Sequence, residues 1–436
     1  MAIRRWKGKL VWFLTGLLLM CVSIKWIISI QPTGLSHDGH SEIETQQNVR
    51  DVNRVQGQPS KHPDVGEVNK ERRERIHRVC STKESELRRN KSITDISPHI
   101  SIDKKHELTY CYLLKAGFTF WGILFRMVRG NLKATTPFDP TTFYQRGITI
   151  SSLHSLPEKA RVPFFDKSFS FMFTRDPYRR LLSGYTDKLF RPNYHWKAEA
   201  PKIAKIVRRE KKKRKCVSDI TFSEFIKYVI YSEEHSIPRD LHYGFAFDFC
   251  DPCQYKYDFI GKMETIKQDT MYLLDKMNQP KIIASLENNF RKQFRDYTIK
   301  ERMDMLSKYQ NTHGVLCTNT FSQVLKKMWK GFQMDGIISK SSNYSIPEMY
   351  SDLITPSAFH DIVVQAIGDA DDEKVSKKNK EEAFLEAYST VDTADMEKLS
   401  KLLQPDCEVF GYDCRPDQLF KDRKYIKPWY FDINTA

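Results

Sequence analysis

The sequence predicts an α/β domain in which helices flank a central, mostly parallel sheet. Two short segments rich in apolar residues, 108–114 and 168–174, have the composition of strands. Each is followed within a few residues by a segment with the periodicity of an amphipathic helix. Because successive strand–loop–helix units build parallel sheets, we expect this architecture, with a ligand at the carboxyl ends of the strands.

The composition is that of a folded protein with unevenly distributed charge. Of the 436 residues, 40% are apolar and 12% aromatic, which excludes a wholly disordered chain. The 18 Gly and 19 Pro residues exclude a collagen-like chain. Lys and Arg number 70 against 55 Asp and Glu, a net charge of +15 that indicates acidic partners. Most of the excess lies in residues 1–9 and 202–215.

The N-terminal 30 residues have the pattern of a signal anchor. Residues 1–9 carry four Lys or Arg and no acid, and 10–30 are apolar apart from one lysine. A helix over 10–30 is about 31 Å long, which suffices for a bilayer. A cleaved signal peptide is the alternative, although no clear small-residue cleavage site follows. The positive-inside rule predicts a cytoplasmic tail and a luminal remainder, as in a single-pass type II membrane protein.

The luminal part divides by composition into a stem and one domain. Residues 31–105 are polar and lack a sustained apolar period, so they are expected to form a spacer. Residues 106–436 are long enough for a single catalytic domain. Within that domain, 321–332 and 383–403 are predicted to be amphipathic helices that pack on the sheet.

Cysteines and glycosylation sequons agree with a luminal location. The eight cysteines beyond the anchor can form disulfides in an oxidising lumen, with the pairing left open. A zinc site made of Cys250 and Cys253 with Cys407 and Cys414 is the alternative. The sequons at Asn90 and Asn343 predict N-glycans in the same compartment.

The first candidate binding segment is the predicted strand 108–114 with the loop that follows. Lys115, Ala116, Gly117, Phe118 and Thr119 lead directly into an apolar helical segment. A short turn between a strand and a helix N-terminus presents backbone N–H groups to an anion, and Lys115 and Thr119 add a charge and a hydroxyl. Taken alone, the segment is equally compatible with a buried strand flanked by a lysine.

The second candidate segment begins with the predicted strand 168–174. Asp176 and Pro177 are residues typical of the N-cap and first position of a helix. Arg175 at the strand end and Ser183 on the helix can converge on a second phosphate. The alternative is a capped basic surface helix.

Together these segments resemble the two signatures of sulfotransferases that use 3′-phosphoadenosine 5′-phosphosulfate (PAPS). The chain is most similar to the Golgi carbohydrate sulfotransferase family, which includes chondroitin and dermatan 4-O-sulfotransferases and the HNK-1 sulfotransferase. Residues 114–121 resemble that family's PKxGCTxW motif, and 175–188 resemble RDPxxRLxSAYxxK. Leu114 and Phe118 depart from the first motif, but neither change removes a residue expected to contact the cofactor. The resemblance implies a P-loop-kinase-like sulfotransferase fold.

The resemblance implies two sets of PAPS-binding residues. No metal is expected, because the transferred sulfuryl group carries less charge than a phosphoryl group. The loop after the first strand would hold the 5′-phosphosulfate through Lys115, Ala116, Gly117, Phe118, Thr119, Phe120 and Trp121. The second segment would hold the 3′-phosphate through Arg175, Asp176, Pro177, Tyr178, Arg179, Arg180, Leu181, Leu182 and Ser183.

Two further stretches extend the resemblance toward the C-terminus. His242 and Tyr243 occupy the family's HW position, and Cys250 to Cys253 followed by 257–265 resemble its CxPC and YDxIGKxET segments. Residues 406–412 resemble its FGY ending. The likeness therefore covers about 108–413 with its order preserved.

Sulfuryl transfer requires a group that stabilises the leaving oxygen and a base for the acceptor hydroxyl. We expect Lys115 to stabilise the leaving group and His242 to act as the base. A structural role for His242 is equally open, and Glu264 is the second candidate. His195 and His235 have weaker claims because of their charged surroundings.

The expected function is transfer of a sulfuryl group from PAPS to a hydroxyl of a glycan or glycosaminoglycan. The family implies the 4-hydroxyl of N-acetylgalactosamine in chondroitin.

The run 202–215, with nine Lys or Arg and one Glu, either attracts this anionic acceptor or is a solvated insertion. A luminal location argues against nucleic acid. The alternatives are a metal-dependent Golgi glycosyltransferase that uses Asp369 and Asp371, and a membrane-anchored lectin without enzymatic activity.

Overall fold

The structure of the protein is a computed structural model. It describes residues 64–83, 87, 92–132, 134–139, 142, 151–210, 214–287, 289–311, 320–368 and 372–436. The predicted tail 1–9, the anchor 10–30 and the first part of the stem lie outside these residues. Among the helices that are described, none combines the length and the apolar character needed to span a membrane.

A four-stranded sheet forms the centre of the described part. Its strands are β1 (Ile100–Asp103), β2 (Leu108–Cys111), β3 (Phe169–Thr174) and β4 (Phe259–Lys262), arranged in that order across the sheet. The first two strands pair antiparallel, whereas β2, β3 and β4 run parallel. The predicted α/β class with a mostly parallel sheet is therefore confirmed, and the carboxyl ends of three strands share one edge.

Helices surround the sheet. In chain order the described α-helices are α1 Val65–Thr82, α2 Ile93–Ile96, α3 Phe118–Val128, α4 Glu158–Lys167, α5 Pro177–Tyr185, α6 His195–Ala198, α7 Ala200–Val207, α8 Phe222–Glu234, α9 Ala246–Cys250, α10 Ile266–Lys276, α11 Pro280–Glu287, α12 Phe290–Asn311, α13 Phe321–Met334, α14 Pro356–Gln365, α15 Glu373–Ser389, α16 Thr393–Phe410 and α17 Asp417–Phe420. Of the two predicted C-terminal helices, 321–332 agrees with α13. The segment 383–403 is divided between α15 and α16, because Asp392 begins a new helix as its N-cap.

Both faces of the sheet are covered by apolar side chains. Phe171 and Phe173 of β3 belong to the core on the face that packs against α3. Met172 points to the opposite face and packs with residues of the other core. The alternation of strand side chains thus distributes β3 between two cores, which fixes the register of the central strands.

Helix α1 lies inside the stretch predicted to be a stem, and it packs against β4 and α16. The Asn69 amide bonds both the Asp258 carbonyl and the Ile260 N–H of the β4 segment, at 3.0 and 2.9 Å. Arg72 donates to the Ile260 carbonyl at 2.8 Å. From Val65 onward the predicted stem therefore belongs to the folded unit, while the proposed division of the remainder stays a prediction.

The cysteines of the C-x-x-C pair are in disulfide bonds. Cys80 of α1 is bonded to Cys253, and Cys111 at the end of β2 is bonded to Cys250. Because both thiols of that pair are consumed, the alternative of a zinc site at Cys250 and Cys253 is wrong. The prediction of disulfides is confirmed for these two bonds.

Candidate active site

The loop between β2 and α3 has the backbone of an anion-binding turn. Lys115 and Gly117 both adopt a left-handed conformation, with φ of 68° and 80°. Helix α3 begins at Phe118 without a side-chain cap on its first N–H groups. A Cβ atom at Gly117 would lie 3.1 Å from the Met263 sulfur, which is tighter than ordinary van der Waals contact, and the positive φ would strain any other residue there. These features match the predicted loop for the phosphosulfate.

The Lys115 ammonium group is anchored inside the protein by a carboxylate. Its Nζ lies 2.9 Å from Oδ2 of Asp187, and the Lys188 Nζ lies 3.3 Å from the same oxygen. Oδ1 of Asp187 accepts a hydrogen bond from Nη1 of Arg302 at 2.6 Å. Burial lowers the pKa of Lys115, and Asp187 opposes that shift. Burial alone would raise the pKa of Asp187, but the three cations hold it well below its ordinary value. Asp187 is therefore ionised and fixes the ammonium beside the loop.

The second segment meets the first at the edge of the sheet. Asp176 caps α5 by accepting a hydrogen bond from the Arg179 N–H at 2.8 Å, and Pro177 is the first helical residue, as predicted. Nη1 of Arg175 donates to the Lys115 carbonyl at 3.2 Å. One guanidinium group thus joins the two predicted binding segments.

The predicted contact residues divide into two groups by their placement. The partly exposed group consists of Lys115, Gly117, Phe118, Thr119, Arg175, Asp176, Arg179, Leu182 and Ser183. Arg179 pairs with Glu381 at 2.6 Å, and Arg180 turns inward to the Leu114 carbonyl. The following side chains are buried in the interior and form the packing beneath the loop and helix: Ala116, Phe120, Trp121, Pro177, Tyr178, Arg180 and Leu181.

His242 belongs to a hydrogen-bonded cluster close to Lys115. Its Nδ1 is bonded to Oδ1 of Asp240, whose other oxygen lies 3.1 Å from Nε2 of His195. Burial lowers the pKa of His242, Asp240 partly reverses that shift, and the charges of Lys188 and Lys115 lower it further. The imidazole is therefore neutral at pH 7, with Nδ1–H donated to Asp240 and the Nε2 lone pair available.

His195, Asp240 and His242 present ligand atoms within 4.8 Å of one another, a spacing that a divalent metal ion can use. In this structure the two carboxylate oxygens of Asp240 are hydrogen-bonded to the two imidazole rings, one oxygen to each ring. The lysines that depress the pKa of His242 would also repel a cation. The arrangement therefore fits a base and its orienting carboxylate better than a metal site.

The other two base candidates have different surroundings. Glu264 accepts hydrogen bonds from the Asp176 N–H at 3.0 Å and from the Tyr412 hydroxyl at 3.1 Å. Both of its carboxylate oxygens are therefore engaged in structural hydrogen bonds. His235 is exposed at the end of α8, where its ring stacks on Tyr231 with centroids 3.8 Å apart. Glu264 thus supports the second binding segment, and His235 lies outside the His242 cluster.

Four residues of this site were not singled out by sequence reasoning: Lys188, Asp187, Asp240 and Arg302. Asp187 and Lys188 lie within the segment 175–188, and Asp240 precedes His242 by two residues. A search for charged residues within the matched segment 175–188 and beside His242 would have found these three. Arg302 is 115 residues from Asp187 in sequence, and no local pattern marks it.

The fold and site define an α/β protein with an anion-binding strand–loop–helix, an adjoining basic helix and a histidine–carboxylate pair. Residues 98–335, more than half of the chain, match the sulfotransferase family, and the chain belongs to that family. The resemblance described above is therefore confirmed.

Three relatives illustrate how far the similarity extends. Carbohydrate sulfotransferase 11 of Rattus norvegicus is 30% identical over 215 residues, which are 47% of this chain and 60% of the relative. Carbohydrate sulfotransferase 14 of Danio rerio is 28% identical over 184 residues, covering 42% and 49%. Carbohydrate sulfotransferase 9 of Homo sapiens is 24% identical over 240 residues, covering 54% and 53%. The chain thus spans half to three-fifths of these relatives, and no solved structure matches it.

Proposed function

We propose that this protein transfers a sulfuryl group from PAPS to a hydroxyl group of a glycan. The observation that carries the proposal is the hydrogen bond from Arg175 to the Lys115 carbonyl, because it brings the two predicted anion-binding segments together. The names of the relatives support a carbohydrate acceptor. A 4-hydroxyl of N-acetylgalactosamine in chondroitin is the specific acceptor that we propose.

The residues present fit the proposed cofactor. The backbone at Lys115 and Gly117 adopts a left-handed turn, and Gly117 carries no Cβ atom beside it. Arg175 and Ser183 would hold the 3′-phosphate, and the loop 115–121 the 5′-phosphosulfate. When bound, PAPS supplies the activated sulfuryl group, so the protein has to position the reactants and stabilise charge.

Each catalytic group of the chain has a defined task in this proposal. His242 accepts the proton of the acceptor hydroxyl on Nε2, while Asp240 holds the ring in the required tautomer. Lys115, fixed by Asp187, provides positive charge where the leaving oxygen becomes negative. His195 bonds the second oxygen of Asp240 and so restrains the carboxylate.

The decisive experiment compares His242→Ala with His235→Ala in the purified full chain. With labelled PAPS and desulfated chondroitin, we expect the first variant to lose about 10²–10⁴-fold in kcat and to retain adenosine 3′,5′-bisphosphate binding. The second variant should behave like the wild type, because His235 lies outside the cluster. Near-normal turnover of His242→Ala would eliminate the base.

The pH dependence provides an independent check on the base. A base must be unprotonated, and the pKa of His242 is lowered from its ordinary value of 6.5. We therefore expect kcat/KM to be constant at neutral pH and to fall only when the pH drops below about 6.5. If kcat/KM already fell above pH 6.5 as the pH was lowered, the assignment of His242 as the base would be contradicted.

Disaccharide analysis of the labelled product tests the acceptor. Label on the 4-position of N-acetylgalactosamine supports chondroitin 4-O-sulfation. Label at another position would mean that a different hydroxyl is sulfated, and the proposed reaction class would be unchanged. Adenosine 3′,5′-bisphosphate binding in the presence of a chelator separates this proposal from the alternatives, namely a metal-dependent glycosyltransferase and a lectin. Asp369 and Asp371, on which the glycosyltransferase alternative rests, lie outside the described residues.

We also propose the luminal, type II Golgi location with the anchor at 10–30. Asn343 is exposed and accessible to glycosylation, which supports this location, whereas Asn90 lies outside the described residues.

The run 202–215 is less available to an acceptor than its composition indicates. Arg208 bonds Glu224 and Asp219, and Arg214 bonds Glu210. An unchanged acceptor KM after Lys202→Ser and Lys205→Ser would favour the solvated insertion.

A further inference from the structure

Two cysteines remain free in the described part of the chain, and they lie together. Cys407 is in the last turn of α16 and is fully buried, and Cys414 follows the turn at Gly411 and is partly exposed. Their thiols are within hydrogen-bonding contact. The turn itself is closed by backbone bonds, since the Gly411 and Tyr412 N–H groups both donate to the Cys407 carbonyl.

The surrounding protein already carries oxidised cysteines. Cys80–Cys253 and Cys111–Cys250 are disulfides, and Cys216 is disulfide-bonded as well. A pair of contacting thiols in such a protein is subject to the same oxidants. Cys414 is the accessible member, so a reagent in solvent can reach it first.

We propose that Cys407 and Cys414 form a further disulfide that closes the turn after α16. The oxidant is a disulfide-bearing thiol oxidoreductase or a small disulfide such as oxidised glutathione. The Cys414 thiolate attacks the oxidant's disulfide and releases one thiol. The Cys407 thiolate then attacks the Cys414 sulfur and releases the second thiol. Two cysteine thiols are oxidised, one disulfide of the oxidant is reduced, and the protons end on the released thiols.

The bond would fix a part of the chain that supports the second binding segment. The Cys414 carbonyl accepts hydrogen bonds from the Tyr178 hydroxyl at 2.5 Å and from Ser400 at 3.1 Å. Tyr178 is the second residue of α5. In the same turn, Tyr412 donates to Glu264, which accepts the Asp176 N–H. Closing the turn therefore immobilises two contacts to the start of α5, whether or not the protein has the proposed activity.

Peptide mapping of the purified full chain tests the bond directly. The chain is denatured in the presence of iodoacetamide, which blocks every free thiol, in a preparation where Cys80–Cys253 is found linked. Trypsin leaves both cysteines on the peptide 402–421, because the bond between Arg415 and Pro416 resists cleavage. We expect this peptide to carry no alkyl groups. Its mass should be lower by two hydrogen atoms than that of the same peptide after reduction. Recovery of the peptide with both thiols alkylated would overturn the proposal.

Hydrogen–deuterium exchange tests the structural consequence. A reductant mild enough to leave Cys80–Cys253 linked should accelerate amide exchange over 411–415 in the wild type. A variant with Cys407→Ala and Cys414→Ala should already exchange rapidly there and should not respond to the reductant. Equal responses of wild type and variant would show that no bond closes the turn, and this readout is independent of catalysis.

Discussion

At the scale of single residues, the position of Lys115, which we propose stabilises the leaving group, is set by the buried carboxylate of Asp187. Three cations converge on it, and the side chain is only 10% exposed. Removing one partner of a buried ion pair leaves the remaining charges buried and unpaired. The resulting loss of folding free energy is larger than the pair's own contribution to stability. The position of Lys115 therefore depends on an acid that lies 72 residues away in sequence.

We predict that Asp187→Asn lowers both stability and turnover. The free energy of unfolding should fall by about 3–5 kcal/mol, because Lys115, Arg302 and Lys188 lose their shared anion. Chemical denaturation at pH 7 measures this change. The control is Asp296→Asn, whose exposed pair with Lys292 should contribute less than about 1 kcal/mol. Equal losses in the two variants would contradict the prediction.

The same substitution should change the pH dependence of stability. The folded pKa of Asp187 lies well below the unfolded value of about 3.9, so its stabilisation is complete above that pH. It is lost as the pH falls through the folded value. The difference in unfolding free energy between wild type and Asp187→Asn should therefore be largest near neutrality and narrow below pH 4. A difference that grows on acidification would refute the ionised state of Asp187.

At the scale of elements, the start of α5 is held by contacts from three parts of the chain. Asp176 caps the helix, Glu264 after β4 accepts the Asp176 N–H, and Tyr412 after α16 bonds Glu264. These contacts orient the Arg175 guanidinium group, because Arg175 immediately precedes the cap. Glu264 is in this view a positioning residue for the second binding segment.

We predict that Glu264→Ala weakens binding of adenosine 3′,5′-bisphosphate about fivefold, as expected from the loss of about 1 kcal/mol, with little change in kcat. Calorimetry measures the affinity and a saturating assay measures kcat. Tyr412→Phe removes one of the two contacts of Glu264 and should have a smaller effect. A large loss of kcat at saturation would instead support Glu264 as the base.

The sequence predicts the elements whose apolar pattern is continuous and misses those held by polar contacts. The strand 168–174 and the cap at Asp176 are observed as predicted, because burial and capping leave local signals. Helix α1 falls within the predicted stem, because its many charged residues give no indication that the helix packs against the sheet. Its attachment to β4 runs through Asn69 and Arg72, which hydrophobic periodicity cannot detect. The His242–Asp240 pair is local in sequence, whereas Arg302 required the tertiary structure.

Asn69 completes the edge of the sheet, since β4 is the last strand of the described sheet and its backbone bonds the Asn69 amide. We predict that Asn69→Ala lowers the unfolding free energy by about 1–3 kcal/mol, because an N–H and a carbonyl lose their partner. Thermal unfolding measures the change. Lys70→Ala, on the same helix with an exposed side chain, should be nearly neutral. Similar effects would show that α1 contributes little to β4.

At the scale of the whole molecule, the disulfides Cys80–Cys253 and Cys111–Cys250 join distant segments to different parts of the sheet. Cys80–Cys253 spans 173 residues and fastens α1 to the loop before β4. Cys111–Cys250 spans 139 residues and fastens the end of β2, four residues before Lys115, to α9. Both restrict the unfolded chain to a similar degree, because the entropy of loop closure varies slowly with length. Their effects on the site should differ.

We therefore predict that the variant with Cys80→Ala and Cys253→Ala loses about 2–5 kcal/mol of stability and keeps its nucleotide affinity at temperatures where it is folded. The variant with Cys111→Ala and Cys250→Ala should lose a similar amount of stability and also bind adenosine 3′,5′-bisphosphate more weakly, because its bridge anchors the strand that leads into the Lys115 loop. Denaturation and calorimetry on the two variants separate the effects. Equal affinities in both would mean that the turn at Lys115 and Gly117 is held by α3 and the Asp187 cluster without help from the disulfide.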